Sequence, residues 1–419
     1  MKKFFKLKFQ SSNFVLRLEK RITYRSAPAS TTPQPMTGKP VAASAAQSLK
    51  QSDAVLILPD GNSYAGYSFG FRKSIAGEVV FNTAMSGYPE SLTDPSYQGQ
   101  ILVLTYPLIG NYGVPPMIKE QNLLKYYESE NIHISGLIIS EYSFESSHWN
   151  AWRSLSSWLI EQQIPAIGGI DTRALTKILR EKGSMPGKIE FAGQSVEFTD
   201  PNERNLVNEV STREVITYGS GKYKIALVDC GVKFNIIRKL LERDTTVIRL
   251  PWDYDFTTLE YDGLFISNGP GDPKKCSATI QNISKAMNIN KPIFGICLGN
   301  QLMALAAGGD TFKLKYGHRS HNQPVLLKGT NRCFITSQNH GFATRYESLG
   351  KEWEELFVNI NDQTNEGIRH KSKPFFSTQF HPEASSGPTD TDFLFDEFMG
   401  KIRFTGESER RGDFFQKKL

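Results

Sequence analysis

The sequence predicts an α/β protein with two domains behind a separate N-terminal extension. Short apolar segments alternate with helix-like segments between residues 224 and 309, which is typical of a parallel sheet with crossover helices. Residues 51–205 show a different mixture of short strands and amphipathic segments. A chain of 419 residues is long enough to build both cores.

The first predicted domain comprises residues 51–205. Alternating apolar and polar residues over 54–70 indicate a hairpin with its turn at 60–61. Asp171 is suited to cap a helix that ends at Gly183. The remaining predicted elements are strands at Glu78–Phe81 and Gln100–Thr105 and an amphipathic helix at 148–163.

The second predicted domain comprises residues 222–405 and follows a linker at 215–222. The less regular last third of the chain is expected to add antiparallel strands, and 406–419 reads as a polar tail with no further domain. The predicted elements are strands at 224–231, 245–251, 261–273 and 291–297, with helices at 232–244, 277–288 and 298–309.

The basic charge of the chain is concentrated at its N-terminus. Of 49 Lys and Arg residues and 43 Asp and Glu residues, ten basic residues and one acid fall within 1–50. The remainder carries 39 basic and 42 acidic residues, so nucleic-acid binding by the folded body is not expected. No run of about 18 apolar residues occurs, and no membrane span is expected.

Residues 1–50 are predicted to be a mitochondrial transit peptide followed by a linker rich in Pro, Ala, Ser and Thr. The first 30 residues mix Lys, Arg, Ser and bulky apolar residues with almost no acid. The alternative is a disordered basic segment that carries no targeting signal, which would leave the protein in the cytoplasm.

The cysteines favour a reducing compartment. Four cysteines occur, at positions 230, 276, 297 and 333, and none forms a C-x-x-C pair. The sequence therefore predicts neither a disulfide framework nor a metal site, and it leaves a cysteine free for chemistry.

Cys297 is the candidate nucleophile. It lies between an apolar strand and a helix, with Gly295 and Gly299 two residues away on each side, which is the arrangement of a nucleophile elbow. A sharp turn requires the glycines, and the N-terminus of the following helix favours a thiolate. The alternative interpretation is a buried structural cysteine in a tight turn.

His381 and Glu383 are the candidate base and orienting residue. His381 follows a strand-like segment, and active sites of open α/β sheets gather at the carboxyl edge of the strands. The intervening Pro382 stiffens a turn that returns Glu383 to the imidazole. Taken alone, the motif would favour the alternative of an ordinary His-Pro turn with a solvated glutamate.

The segment Asn268–Asp272 closes a strand with two glycines, so that its backbone could approach a ligand closely. Its amides, together with that of Leu298, are suited to an oxyanion hole. On its own, a Gly-Pro-Gly segment more often forms a plain turn.

These motifs together resemble the class I glutamine amidotransferases. GPGDP, GICLGNQ and FHPE occur in this order and at the family's spacing, and Cys297, His381 and Glu383 match its triad. GEVVFNTAMSGYPESLTDPSYQGQIL, HISGLIIS, IDTRALTKILREKG and SQNHGF extend the resemblance to the carbamoyl phosphate synthetase small chain, particularly the amidotransferase region of animal mitochondrial enzymes.

The resemblance implies an N-terminal swivelling β/α domain packed on a three-layer α/β amidotransferase domain. It implies hydrolysis of glutamine to glutamate and ammonia, which a large synthetase chain uses to make carbamoyl phosphate. No cofactor is expected in this chain, and ATP and a divalent metal are expected on the synthetase. The implied glutamine-binding residues are Ser96, Gly269, Gly271, Leu298, Gln301, Asn339, Gly341 and Phe342, of which only Ser96 and its loop come from the N-terminal domain.

One departure from the family pattern follows the nucleophile. The family usually has Gly-His-Gln there, whereas this chain has Gly299, Asn300 and Gln301. Asn300 keeps open the alternative of a non-catalytic regulatory or scaffolding subunit, and a free cysteine peptidase is a third possibility. Whether the chain is a separate subunit or part of a fused synthetase is left open, as is the pathway it serves: arginine, urea or pyrimidine synthesis.

Overall fold

The structure, a computed structural model, describes residues 52–416, with side chains through residue 404. The predicted transit peptide and linker at 1–50 therefore lie outside the described residues. Among the described residues, no helix has the length and apolar character needed to cross a membrane.

The N-terminal domain is a closed barrel in the strand order β1-β2-β8-β7-β4-β3-β9. The predicted hairpin is confirmed, because Ile57 of β1 pairs with Ser63 of β2. The strands of this domain are β1 Ala54–Ile57, β2 Ser63–Ser68, β3 Ile75–Asn82, β4 Gln100–Leu104, β5 Lys119–Glu120, β6 Leu123–Leu124, β7 Gly136–Ile138, β8 Ala166–Gly168 and β9 Met185–Phe191, and its helices are α1 Tyr88–Leu92, α2 Leu155–Glu161, α3 Thr172–Lys182 and α4 Leu206–Val210.

Apolar side chains from every second strand position fill one face of the barrel and pack against α3. Leu175 and Leu179 of α3 are fully buried in this cluster. The predicted cap is confirmed, since the Asp171 carboxylate accepts a hydrogen bond from the Ala174 amide at 2.9 Å and Gly183 ends the helix.

The predicted helix at 148–163 is wrong in its first half. Only α2 is helical, and Trp149 and Trp152 are 83% and 76% exposed. The backbone at 152–153 instead bridges to Val114, whose amide donates to the Arg153 carbonyl at 2.9 Å. This tertiary pairing holds the chain extended despite the helical spacing of its aromatic residues.

The C-terminal domain is built on one sheet of ten strands in the order β10-β12-β11-β13-β14-β19-β18-β17-β15-β16. The four pairs that join β12, β11, β13, β14 and β19 in this order are parallel. The pairs among β15 to β19 are antiparallel, as predicted for the last third of the chain, and β10 pairs antiparallel with β12. The strands are β10 Ile216–Tyr218, β11 Tyr223–Asp229, β12 Thr245–Pro251, β13 Gly263–Ile266, β14 Ile293–Ile296, β15 Asp310–Leu327, β16 Cys333–Arg345, β17 Trp353–Asn359, β18 Asn365–His370 and β19 Phe375–Thr378, and the helices are α5 Phe234–Leu241, α6 Ser277–Ala286, α7 Leu298–Ala306 and α8 Phe393–Gln416.

Helices cover both faces of the parallel strands. Ile225 and Leu227 of β11 belong to the apolar cluster that contains α5 and α8, whereas Ala226 and Val228 belong to the cluster that contains α6 and α7. Because successive side chains of a strand point to opposite faces, this alternation confirms the predicted three-layer arrangement.

One sequence prediction for this domain needs correction. The predicted linker at 215–222 contains β10, which is held at the sheet edge by pairing of Tyr218 with Val247. The backbone of the predicted polar tail is helical as far as Gln416, because α8 continues into it.

Candidate active site

Cys297 occupies a strained turn between β14 and α7. Its φ of 56° and ψ of −103° are unusual for a residue with a side chain. A Cβ on Gly299 would lie 2.3 Å from the Ile266 carbonyl oxygen, and one on Gly295 would lie 2.7 Å from the Gly299 backbone. The glycines are therefore required by close backbone contacts, as the sequence predicted.

The thiol of Cys297 is buried and faces backbone polar groups. Its Sγ lies 3.6 Å from the Asn339 carbonyl oxygen, and only 2% of the residue is exposed. The amide of Leu298, the first residue of α7, donates to no acceptor within the described residues. The positive end of the helix dipole and this free N–H both favour negative charge beside the sulfur.

His381 is held by Glu383 in the orientation that a base requires. The ring Nδ1 donates to Glu383 Oε1 across 2.7 Å, and the backbone amide of His381 donates to the Ser337 carbonyl at 2.9 Å. Nε2 has no hydrogen-bond partner among the described residues, so it is the nitrogen available for proton transfer. Burial alone would lower the pKa of His381, but the Glu383 carboxylate and Cys297 together raise it.

Lys233 is a fourth member of this constellation that the sequence analysis missed. Its buried ammonium lies 3.0 Å from Glu383 Oε1 and 2.6 Å from the Ala384 carbonyl oxygen. Burial would raise the pKa of Glu383, but Lys233 and His381 hold it at about 2. The available signal was the position of Lys233 just beyond the carboxyl end of β11, the sheet edge where sites gather.

The predicted oxyanion loop lies beside the cysteine. Gly269 and Gly271 line a cavity together with Cys297. A Cβ on Gly269 would lie 2.0 Å from the Cys230 carbonyl oxygen, so only glycine fits there. Leu298 does not line the cavity; its side chain packs on Gly269, while its free amide belongs to the elbow.

The same cavity gathers the other residues predicted to bind glutamine. Its volume is about 30 Å³, which suffices for one or two water molecules but not for an amino acid. Admitting a ligand therefore requires movement of the lining side chains or of the two domains. The predicted residues that line it are Ser96, Gly269, Gly271, Gln301, Asn339, Gly341 and Phe342.

Both domains build this cavity, and the N-terminal domain contributes more than the predicted Ser96. Asp94 accepts a hydrogen bond from Asn339 Nδ2 at 3.0 Å, and Ser96 Oγ accepts one from Asn268 Nδ2 at 2.9 Å. The N-terminal domain also supplies Glu78, Gln100 and Asn202 to the lining.

A buried cation forms another wall of the cavity. Arg319 is 4% exposed, and its Nη1 donates to the Tyr316 carbonyl at 2.7 Å. Burial lowers the pKa of Arg319, while Glu78, Tyr97 and Cys297 act in the opposite direction. Its Nε has no partner within the described residues. Arg319 lies in a long bulged strand, and no sequence pattern there indicated this role.

Two family models cover most of the described chain. Residues 56–189 match the model described as carbamoyl-phosphate synthase small chain, CPSase domain, and residues 226–401 match glutamine amidotransferase class-I. The chain thus contains a carbamoyl-phosphate synthase small-chain domain followed by a class I glutamine amidotransferase domain. The predicted combination of a small-chain domain with a class I amidotransferase fold is confirmed.

Regions similar to this chain occur within much longer proteins. The chain is 54% identical over 362 residues to "Carbamoyl-phosphate synthase [ammonia], mitochondrial" of Aquarana catesbeiana, covering 85% of this chain and 24% of that protein. It is 55% identical over 353 residues to "Multifunctional protein CAD" of Squalus acanthias, covering 83% of this chain and 16% of that protein. The chain thus spans a quarter or less of the length of these relatives.

Asn300, the departure from the usual small-chain motif, is a buried packing residue. Its Nδ2 donates to Thr344 Oγ1 at 3.2 Å and to Gln379 Oε1 at 3.1 Å, and its Oδ1 accepts from Ser377 Oγ at 2.7 Å. Gln379 Oε1 also accepts from Gln301 Nε2 at 3.1 Å. Asn300 does not line the cavity, and it shares the acceptor Gln379 Oε1 with the lining residue Gln301.

Proposed function

We propose that this chain hydrolyses the side-chain amide of glutamine to glutamate and ammonia, as the glutamine-hydrolysing component of a carbamoyl phosphate synthase. The observation that carries the proposal is a row of buried side chains beside a polar cavity, formed by Cys297, His381, Glu383 and Lys233. Each member fixes the charge or orientation of the next, as nucleophilic catalysis requires. The match of residues 226–401 to the class I glutamine amidotransferase model supports the choice of glutamine over a peptide.

The proposed reaction proceeds through a thioester. Cys297 gives its proton to His381 Nε2 and attacks the amide carbon, and the amides of Gly269 and Leu298 are proposed to donate to the oxygen that becomes negative. His381 then protonates the leaving nitrogen, so that ammonia departs and an acyl-enzyme remains. Attack by water, deprotonated by the same imidazole, breaks the carbon–sulfur bond and yields glutamate and the free thiol.

The lining of the cavity suits an amino acid with an amide side chain. Ser96, Gln301 and Asn339 offer polar groups for the charged and amide ends, and Phe342 offers an apolar wall. The alternative of a non-catalytic scaffold had Asn300 as its only support. Because Asn300 is placed behind the site, it does not favour that alternative.

The proposed partner is a synthetase that binds ATP and a divalent metal and consumes the ammonia, either as a separate chain or as a fused region. Ammonia released into water becomes ammonium and is lost as a nucleophile, so hydrolysis coupled to an acceptor is expected. We also propose a mitochondrial location, supported by the predicted transit peptide and by the name of the Aquarana catesbeiana relative. A cytoplasmic location is the alternative.

The test measures ammonia release from glutamine by the purified full chain, with and without a synthetase, bicarbonate and ATP. Cys297→Ala should lower the rate by several orders of magnitude, as removal of a catalytic nucleophile does. Cys333→Ala is the matched control, because Cys333 is exposed at the start of β16 and should leave the rate unchanged.

Two outcomes would contradict the proposal. Retention of most of the activity by Cys297→Ala would exclude the cysteine mechanism. A chain that turns over at its full rate alone, and whose rate never responds to a synthetase, would be a stand-alone amidase.

A further inference from the structure

A cluster of four polar side chains lies in the sheet behind the cavity wall. His318 of β15 and His340 of β16 are directly paired across the two strands, and Glu366 of β18 and Gln338 of β16 complete the group. We propose that this cluster, hereafter the β15–β16 site, binds a divalent transition-metal ion of the zinc type. The sequence analysis predicted no metal site because it relied on cysteine spacing.

The separations among the donor atoms fit tetrahedral coordination. Gln338 Oε1 lies 3.0 Å from both His318 Nδ1 and His340 Nε2, and His318 Nδ1 lies 3.4 Å from Glu366 Oε1. Zinc bonds to imidazole nitrogen and carboxylate oxygen of about 2.1 Å give a tetrahedral edge of about 3.4 Å. The ligand atoms of the two histidines and Glu366 all lie within 4.8 Å of one another.

The outer nitrogen of each imidazole is held as in known metal sites. His318 Nε2 lies 2.8 Å from Asp362 Oδ2, and His340 Nδ1 lies 2.8 Å from the Phe342 carbonyl oxygen. An ionised Asp362 carboxylate and the Phe342 carbonyl can only accept hydrogen bonds, so His318 Nε2 and His340 Nδ1 each carry a proton. A metal-binding histidine characteristically donates its second N–H to a carboxylate or a backbone carbonyl in this way.

The buried carboxylate of Glu366 is the strongest reason to expect a cation in this cluster. It is fully buried, and while Asn359 Nδ2 donates to its Oε1 at 3.0 Å, its Oε2 has no hydrogen-bond partner in the described part of the chain. A buried carboxylate is costly unless a positive charge or several donors compensate it.

An ion in this position would stiffen the wall of the active-site cavity. His340 lies between Asn339 and Gly341, and all three line the cavity beside Cys297. Coordination would tie this segment of β16 to β15 and β18 at one point. The β15–β16 site would thereby fix the position of Asn339 without touching the substrate.

A different arrangement satisfies the cluster without an ion. If the Gln338 amide is turned, its nitrogen can donate to His340 Nε2, and a proton on His318 Nδ1 can be shared with Glu366 Oε1. The experiment must therefore measure metal binding itself rather than activity.

The full chain is treated with a chelator, and Zn²⁺ binding is measured by equilibrium dialysis and elemental analysis, with Co²⁺ absorption as a probe of ligand type. We expect one ion per chain in wild type and in Cys297→Ala, with no thiolate-to-cobalt band. Glu366→Gln should bind at least about tenfold more weakly, and Asp362→Asn about 10- to 100-fold more weakly, the range for loss of a supporting residue. His148→Asn, which alters an exposed histidine, is the control and should bind as wild type does.

Folding of each variant is checked by its urea midpoint in the presence of chelator. The partly exposed Asp362 keeps the test decisive if a variant of buried Glu366 does not fold. The proposal would be overturned if wild type held no ion. It would also be overturned if Glu366→Gln and Asp362→Asn bound the ion as tightly as wild type does. Loss of binding in Cys297→Ala would overturn it as well, because the ion would then belong to the catalytic thiol.

Discussion

Replacing Lys233 with methionine keeps most of the side-chain volume but removes a cation. Apart from the His381 imidazole, it is the only side-chain cation in hydrogen-bonding contact with Glu383 among the described residues. The ammonium and the carboxylate are 3.0 Å apart, with exposed fractions of 6% and 0% for the two side chains. With an effective dielectric constant of about 20, this separation corresponds to an attraction of about 5 kcal/mol. Breaking a buried pair by removing one partner costs about 3–5 kcal/mol. We therefore expect the free energy of unfolding at pH 7 to fall by about that amount.

The pH dependence of stability should change as well. The pKa of Glu383 is held at about 2 in the folded protein, below the value of about 4.3 of an unfolded glutamate. A lowered folded pKa stabilises the protein above the unfolded pKa, and this contribution is lost as the pH falls toward the folded pKa. Without Lys233 the folded pKa of Glu383 rises, so the contribution becomes smaller and its loss is complete at a higher pH.

The assay is urea unfolding of wild type and Lys233→Met from pH 7 down to pH 3. Lys125→Met is the matched control, because Lys125 pairs with Glu120 at 2.6 Å but both side chains are exposed. No measurable change is expected for that pair. If Lys233→Met has the urea midpoint of wild type at pH 7, the buried ion pair does not contribute as reasoned here.

Three further predictions follow from other parts of the chain. Gly299→Ala would place a Cβ 2.3 Å from the Ile266 carbonyl oxygen, so we expect the free energy of unfolding to fall by about 1–3 kcal/mol and the glutaminase rate to fall as well. Gly400→Ala, with open space around its Cβ, is the control, and equal unfolding midpoints of the two variants would contradict the elbow argument. Asn300→Ala should lower the free energy of unfolding by about 1–3 kcal/mol in chemical denaturation, because it removes three buried hydrogen bonds, and an unchanged stability would show that these bonds are dispensable. Residues 1–50 fused to a fluorescent reporter should direct it to mitochondria, and a diffuse cytosolic signal would reject the predicted transit peptide.

Much of the site could be predicted because it depends on short-range backbone constraints. Gly295 and Gly299 are dictated by a turn in which side chains would collide, and His381 and Glu383 are close in sequence, so two residues of chain suffice to bring them together. The alternation of apolar strands with helices likewise follows from local periodicity. These patterns, together with the family motifs, determined the fold class, the triad and all but one of the cavity residues predicted for glutamine.

The remaining features depended on contacts between distant segments, which no local pattern records. Lys233 meets Glu383 across 150 residues, and Asn339 meets Asp94 across 245. The pairing of Val114 with Arg153 overrode a helical pattern, because backbone hydrogen bonds gained from a neighbouring segment outweigh the weak intrinsic preference of the sequence. The sequence alone therefore determined the fold and predicted the candidate nucleophile and its base, whereas the tertiary structure decided which buried charges lie beside them, because burial and partnership arise only once the chain is packed.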